Sequence, residues 1–369
     1  MIPSGTLIHI VPQLPPNVGG VADYAVILGR RVAEQTDGGV RSVYVQAGKK
    51  QGKAPAEALD SKDVAGRQSP EALAEAAGAY AEQAERAAVV LHYVGYGYQQ
   101  RGCPHWLMRA VRQMRAGRPA LRLVTMFHEL YATSWKPWTS SFWFSLLQRY
   151  ITSRIARRSD GLMTNREAFG EKLRAMAGGA TPVRVSPTFS NVGEPGTLPA
   201  YDEREPYAVV FGGAGRKAAT YGQHGAALNR ALRRMDVERI VDIGTPVRDA
   251  VTAGLMLPVE TCGVLPAEEV SRHLQRASVG VLRVGLHCIT KSGVWAGHAA
   301  HGLPTLCIAE RHPAGPFDEG KHFLLLDARA QAGSARAERA AISRRVKQWY
   351  EEHGHSRHAA RALLSLVEQ

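Results

Sequence analysis

Long apolar runs are missing from this sequence. No stretch approaches the roughly 18 to 20 residues needed to cross a bilayer, which limits any membrane contact to the periphery. The opening segment MIPSGTLIHIVPQLPP has no Lys or Arg ahead of its apolar run and no small-residue cleavage site. That argues against a secretory signal and for the cytoplasm. Cysteine is scarce: Cys103, Cys262, Cys288 and Cys307 form no C-x-x-C pair and lie in or beside apolar runs. They read as reduced, structural residues, not as zinc ligands or a redox motif. His298 and His301 are three residues apart, but no carboxylate or further ligand completes a metal set around them. The cluster His353, His355 and His358 reads as surface. Internal repeats of solenoid period and low-complexity tracts are absent as well.

What is present is a soluble globular composition. The chain has 369 residues, 45% of them hydrophobic and 21% charged, which is enough to bury a sizeable core. At roughly 150 residues per domain, two domains are the natural count. The formal net charge is +13, and 36 of the 46 basic residues are arginine. An excess of this size fits a nucleic-acid, anionic-membrane or phosphorylated partner, and equally an arginine bias in base composition.

Short runs rich in Val, Ile and Leu alternate with helical stretches, the pattern of parallel sheets covered by crossover helices. The first set comprises Leu7–Val11, Ser42–Gln46, Ala88–Val94, Leu121–Phe127, Gly161–Thr164 and Val183–Ser186. After a turn-rich connector, Ser190–Pro206, the pattern restarts with Ala208–Gly213, Arg239–Gly244, Thr261–Leu265, Val279–Val284, Leu303–Ala309 and His322–Asp327. The expected architecture is therefore two doubly wound, Rossmann-like parallel-sheet domains. Apolar spacing from about Ala335 to Gln369 predicts two further helices separated near Gly354.

In open parallel sheets ligands bind beyond the carboxyl ends of the strands, and three loops there could hold an anion. Gly19 and Gly20 follow the first strand and permit close backbone approach at the start of a helix. A double glycine is also what an ordinary turn uses. The segment GGAGRKA, Gly212–Ala218, matches the dinucleotide spacing formally, and Arg216 and Lys217 in its turn suit a diphosphate. Lys291, Ser292 and Gly293 precede a small-residue helix, where the macrodipole, free N–H groups and an ammonium favour phosphate. His128, in TMFHELY at the end of a strand, has the polar tip needed to hydrogen-bond a sugar hydroxyl or phosphate. The stretch Ser134–Arg158 mixes Trp135, Trp138, Trp143 and Phe144 with a basic end, as a segment lying in a lipid interface does. A buried helix with a basic outer face has the same composition. Arg109, Arg112, Arg115, Arg118 and Arg122 form a second basic stretch in this half.

Taken together, PPNVGGVADY, the FHE around His128, GVLPAEEVSRHLQRASVGVLRV (Gly263 to Val284) and HAAHGLPTL resemble the family 4 retaining glycosyltransferases of the GT-B fold, in the same order and over nearly the whole chain. The resemblance implies a nucleotide-sugar site in the cleft between two halves. It makes residues 1–190 an acceptor domain, 205–345 a nucleotide-sugar donor domain, and 335–369 helices packing across both. It implies no cofactor and no metal, the nucleotide-diphosphate sugar being the donor substrate. His128 would orient the sugar. Gly19, Gly20, Arg216, Lys217, Lys291, Ser292 and Gly293 would hold the donor diphosphate.

The sequence departs from the family pattern in two ways. The family's glutamate pair in the donor loop is missing, since no Glu or Asp lies between Leu286 and Pro304. The lysine that usually follows the arginine by several residues is replaced by the adjacent Lys217. The expected activity is sugar transfer to an acceptor such as a lipid-linked or polysaccharide precursor, with peripheral contact to the inner face of an anionic membrane and no nucleic acid. The alternatives are a catalytically silent nucleotide-sugar-binding or accessory protein and an NAD(P)-dependent oxidoreductase using GGAGRKA.

Overall fold

The computed structural model describes residues 5–17, 19–49, 56–132, 140–310, 312, 314–326 and 335–368, with side chains of 140–142 left aside. The chain divides into two compact units, Met1–Pro187 with Ser356–Gln369, and Thr188–His355.

In the first unit the strands are β1 Gly5–Val11, β2 Val40–Gln46, β3 Ser61–Asp63, β4 Ala87–Tyr93, β5 Arg122–Phe127, β6 Gly161–Thr164 and β7 Val183–Val185. They form one sheet in the order β3-β2-β1-β4-β5-β6-β7, and every pairing is parallel. Helices α1 Gly20–Gln35, α2 Pro70–Ala81, α3 Gly95–Tyr98, α4 His105–Gly117, α5 Ser140–Ala156 and α6 Glu167–Ala177 make the crossovers. Near-continuous apolar strands such as AVVLHY are the mark of a parallel sheet buried on both faces, and β1, β4 and β5 are buried along almost their whole length.

The second unit repeats the plan. Strands β8 Glu205–Phe211, β9 Arg239–Ile243, β10 Val259–Gly263, β11 Ala277–Arg283, β12 Thr305–Ile308 and β13 Leu324–Leu325 lie in the order β10-β9-β8-β11-β12-β13, again all parallel. Its helices are α7 Ala214–Arg234, α8 Asp249–Thr252, α9 Ala267–Arg276, α10 Gly293–Ala300 and α11 Arg336–Trp349. Each sheet reverses its strand order once, between β1 and β4 and between β8 and β11. Loops leaving those strands diverge at these points and open a crevice.

The connector read from the sequence is part of the second unit. Phe189 and Val192 are buried, Thr188 N donates to Thr290 O at 2.9 Å, and Ser190 N donates to the Tyr350 hydroxyl at 2.8 Å. The two C-terminal helices separate at Gly354 and join different units. In the second unit, Ile342 and Val346 of α11 are buried and Ser343 Oγ donates to Gly302 O at 2.6 Å. In the first, α12 Ser356–Val367 lies against α1 and the edge of β5 and β6. There Arg31 Nε donates to Ser356 Oγ at 2.8 Å and Arg122 Nε to Leu366 O at 2.6 Å. Arg115, from the same basic stretch as Arg122, forms a bidentate pair with Asp160, both contacts at 2.9 Å, so these two arginines tie elements together.

Candidate functional site

The second unit carries a pocket of about 810 Å³ beyond the carboxyl ends of β11, β12 and β13. Arg216, Lys291, Ser292 and Gly293, predicted from the sequence, all line it, joined by Arg283 at the end of β11 and Glu310 just past β12. Local structure explains the convergence. Gly213 caps α7 in an extended conformation, and Arg216 sits in the first helical turn, its N–H reaching back to Gly213 O at 3.2 Å. Cations are disfavoured at the positive end of a helix, yet Arg216 has no carboxylate partner among the described residues. Ser292 caps α10, its Oγ accepting from Trp295 N at 3.2 Å, so the helix begins at Gly293 with Lys291 immediately before it.

Beside this pocket a smaller one, about 430 Å³, lies over the turn Gly212–Gly215 at the crevice between β8 and β11 and shares Arg216 and Arg283. The turn is tight. A Cβ at Gly244, whose φ is +107°, would stand 2.2 Å from Gly212 O, so only glycine lets β8 and β9 end this close together.

The structure pairs the charge of Lys217 inside the unit. It lines the smaller pocket but not the larger one; its side chain is 2% exposed against 0% for Asp242, and its ammonium donates to Asp242 Oδ1 at 2.5 Å. Tyr221 donates to the other carboxylate oxygen, also at 2.5 Å. A buried carboxylate must be paired and hydrogen-bonded to persist as an anion, and Lys217 and Tyr221 supply that pairing. Arg216, one residue earlier and a helical step of about 100° away, is the residue of that turn whose charge is not so neutralised.

In the first unit Gly19 and Gly20 line a pocket of about 180 Å³ at the crevice between β1 and β4, together with Lys49, Tyr96 and Gly97. A Cβ at Gly19 would lie 2.0 Å from Gln13 Nε2, so glycine there makes room for that side chain. His128 does not line any of these three pockets. It is buried, directly after β5, with its N–H on Tyr93 O at 3.0 Å. Its Nε2 lies 3.2 Å from His92 Nδ1, and His92 Nε2 lies 3.0 Å from His9 Nδ1. Burial pushes the His9 imidazole down to about 3 and holds His92 well below its ordinary range, so both rings are neutral near pH 7.

His298 and His301 turn to different partners, Thr305 Oγ1 at 3.0 Å and Ser271 Oγ at 2.7 Å. No group of His, Cys, Asp and Glu among the described residues is arranged to hold a metal. Sequence reasoning missed Arg283, Glu310, His9 and His92. Arg283 and Glu310 stand at or just past the end of an apolar strand run, and that position is the signal that would have found them, whereas His9 and His92 lie inside β1 and β4.

No helix among the described residues is long and apolar enough to cross a membrane. Trp135 and Trp138 of the aromatic segment lie outside the described residues, as does Val18 of the first glycine loop. On α5, Trp143 and Leu146 are 70% and 76% exposed and Tyr150 is half-exposed. At i, i+3 and i+7 they share one face of the helix.

No sequence family matches this chain, and no curated protein matches it. Solved structures do. HepE from Anabaena in complex with UDP is similar at TM-score 0.60 and 12% identity, covering 98% of this chain and 99% of that one. Trehalose 6-phosphate synthase from Burkholderia multivorans gives TM-score 0.58 at 12% identity, covering 99% and 97%. TarM from S. aureus, solved with a glycosyl glycerol and UDP, gives 0.62 at 8%, covering 99% and 100%. The fold is that of GT-B glycosyltransferases: two parallel-sheet α/β units, along the full length of these proteins.

Proposed function

We propose that this protein is a glycosyltransferase, resembling family 4 and acting with retention, that moves a sugar from a nucleotide-diphosphate donor to an acceptor. The observation that carries the reading is the convergence of Arg216, Arg283 and Lys291 on one pocket, where α7 and α10 also begin. As the bond to the sugar breaks, negative charge grows on the leaving diphosphate. Fixed cations and helix N–H groups stabilise that charge more than they stabilise the intact donor, which is what lowers a barrier. The UDP in the HepE structure and the UDP-glucose in another crystal of the same protein support a nucleotide sugar as ligand. Gly19 and Gly20 are assigned to backbone contact with the diphosphate and His128 to orienting the sugar. The domain roles follow the resemblance, with acceptor recognition given to the first unit and donor binding to the second. The acceptor class is a lipid-linked or polysaccharide precursor, and the location is cytoplasmic.

The membrane-facing element in this reading is α5. Trp143, Leu146 and Tyr150 present an apolar face beside exposed Arg149 and Arg157. Burial, then the charges of Arg154 and Arg112, lower the Arg158 pKa, which marks these three arginines as a cluster of like charge. Anionic lipid headgroups would relieve it. Sedimentation with phosphatidylglycerol vesicles tests this, the expected result being binding that weakens with salt and is lost in Trp143→Ala/Leu146→Ala.

The missing donor-loop carboxylates favour a second reading, a silent nucleotide-sugar binder. Release of free sugar from the donor would separate the two. The oxidoreductase reading lacks its ribose-binding carboxylate: Asp242, the acid on β9, is occupied by Lys217 and Tyr221. Thermal unfolding with UDP, GDP, ADP, NAD and sugar conjugates tests the main reading. Saturation at 100 times Kd adds about 2.7 kcal/mol, and at roughly 2–4 °C per kcal/mol the midpoint rises by about 5–11 °C. The shift should appear with one nucleoside diphosphate and vanish in Lys291→Ala and Arg216→Ala. No shift with any of them overturns the proposal.

A further inference from the structure

Three buried histidines of the first unit form a continuous row, of which the proposed chemistry uses only His128. The sheet builds it. In the parallel registers His9 of β1 is opposite Tyr44 of β2 and Val90 of β4, and His92 of β4 is opposite Met126 of β5. Side chains two residues apart on a strand share a face. Ser42, His9, His92 and His128 therefore lie on one face along a diagonal, each step two residues nearer the carboxyl edge. The rings stack along it, with centroids 5.3 Å apart for His9 and His92 and 5.4 Å for His92 and His128. Tyr24 from α1 closes over the outer pair edge-on. Successive nitrogens are within hydrogen-bond reach from end to end: Ser42 Oγ to His9 Nε2 at 3.2 Å, His9 Nδ1 to His92 Nε2 at 3.0 Å, and His92 Nδ1 to His128 Nε2 at 3.2 Å.

A neutral imidazole has one N–H and one acceptor nitrogen, so hydrogen bonds of this row must all run the same way. We propose that His9 and His92 are positioning residues for His128: they fix which of its nitrogens carries the proton, and that proton changes sides only by a concerted shift along the whole row. This rests on the assignment of His128 to the sugar in the proposed function. In one state His128 Nε2–H donates to His92, His92 Nε2–H to His9, and His9 Nε2–H to Ser42, leaving His128 Nδ1 an acceptor. When Nδ1 takes a proton from a hydroxyl, the Nε2 proton passes to His92 Nδ1. The His92 Nε2 proton passes to His9 Nδ1, and the His9 Nε2 proton to Ser42 Oγ. Half-buried Ser42 releases its own hydroxyl proton to water. One proton enters, one leaves, four N–H or O–H bonds break as four form within the row, and no imidazolium is created in the sheet. Burial explains why the shift must be concerted, because a charged ring at His9 or His92 would be strongly disfavoured.

The test uses the ligand-free full chain, so it stands or falls apart from sugar transfer. In protein labelled with ¹⁵N-histidine, nitrogen–nitrogen couplings across hydrogen bonds should join His9 Nδ1 to His92 Nε2 and His92 Nδ1 to His128 Nε2. His9, His92 and His128 should report the same tautomer. In His92→Gln, whose amide spans the gap but cannot exchange tautomers, the His128 nitrogen shifts should move to a mixture of both forms. Absence of the couplings in the wild-type protein overturns the proposal whether or not the variant folds, as does a folded His92→Gln protein with the His128 tautomer unchanged.

Discussion

Replacing Lys217 with methionine should cripple the fold of the second unit while leaving the binding charge in place. The change keeps the length of the side chain and removes only the ammonium, which donates to Asp242 Oδ1 at 2.5 Å in a site where the two side chains are 2% and 0% exposed. What remains is a carboxylate in the core with Tyr221 as its one strong donor. Breaking a buried pair on one side costs about 3–5 kcal/mol because the surviving charge has lost its compensation. For a protein of this size each kcal/mol moves the unfolding midpoint roughly 2–4 °C, so the expected fall is about 6–20 °C. Lys217→Met/Asp242→Leu, which removes both charges, should recover most of it, since paired burial and apolar burial are nearly equivalent in stability. Arg216→Ala should show the opposite phenotype, an unchanged midpoint and a lost nucleotide shift. Thermal unfolding with and without UDP separates all three proteins. A Lys217→Met midpoint within a degree of wild type, or a nucleotide shift lost only there, would refute the assignment of Lys217 to the core.

Ser292→Ala removes the cap on α10 and should cost about 1 kcal/mol, read as a small drop in the urea midpoint. Gly244→Ala should cost more, because the new Cβ meets Gly212 O at 2.2 Å and the φ of +107° is strained for alanine; a wild-type urea midpoint would contradict the turn geometry. Acid should destabilise the protein earlier than its carboxylates alone require. Burial lowers His9 and His298 to about 3 and His301 to about 4 from an ordinary 6.5. Between those values the unfolded chain binds more protons than the folded one, so stability is full above pH 6.5 and falls as pH drops below it. Each group contributes up to about 1.4 kcal/mol per pH unit, and a melting temperature that is flat from pH 7 to pH 5 would contradict this burial.

Much of the fold is written in the apolar runs. Strands such as Leu7–Val11 and Ala88–Val94 are legible because a parallel sheet is buried on both faces and tolerates few polar residues. The edge strand β3, Ser61–Asp63, has no such run, being short and largely accessible, so nothing in its composition marks it. The lining of the candidate pocket was legible where chemistry and position coincide, at Arg216 and at the Lys291–Gly293 helix start. The pairing of Lys217 with Asp242 was not legible, because adjacent residues on a helix face different directions and only the structure shows which one meets that carboxylate. The histidine row was hidden for a related reason. His9, His92 and His128 are far apart in sequence, and their alignment depends on strand register, which no local pattern encodes.

The return of α12 to the first unit has a consequence for how the chain is made. The ribosome delivers β1 to β7 first, then the whole of the second unit, and only then the helix that covers Gly161 and the edge of β5 and β6. During synthesis the first unit therefore waits, nearly complete but with that apolar strip uncovered, until α12 emerges. A nascent chain stalled anywhere before Ser356 should expose this strip to chaperones, although every strand of its first sheet has already been made.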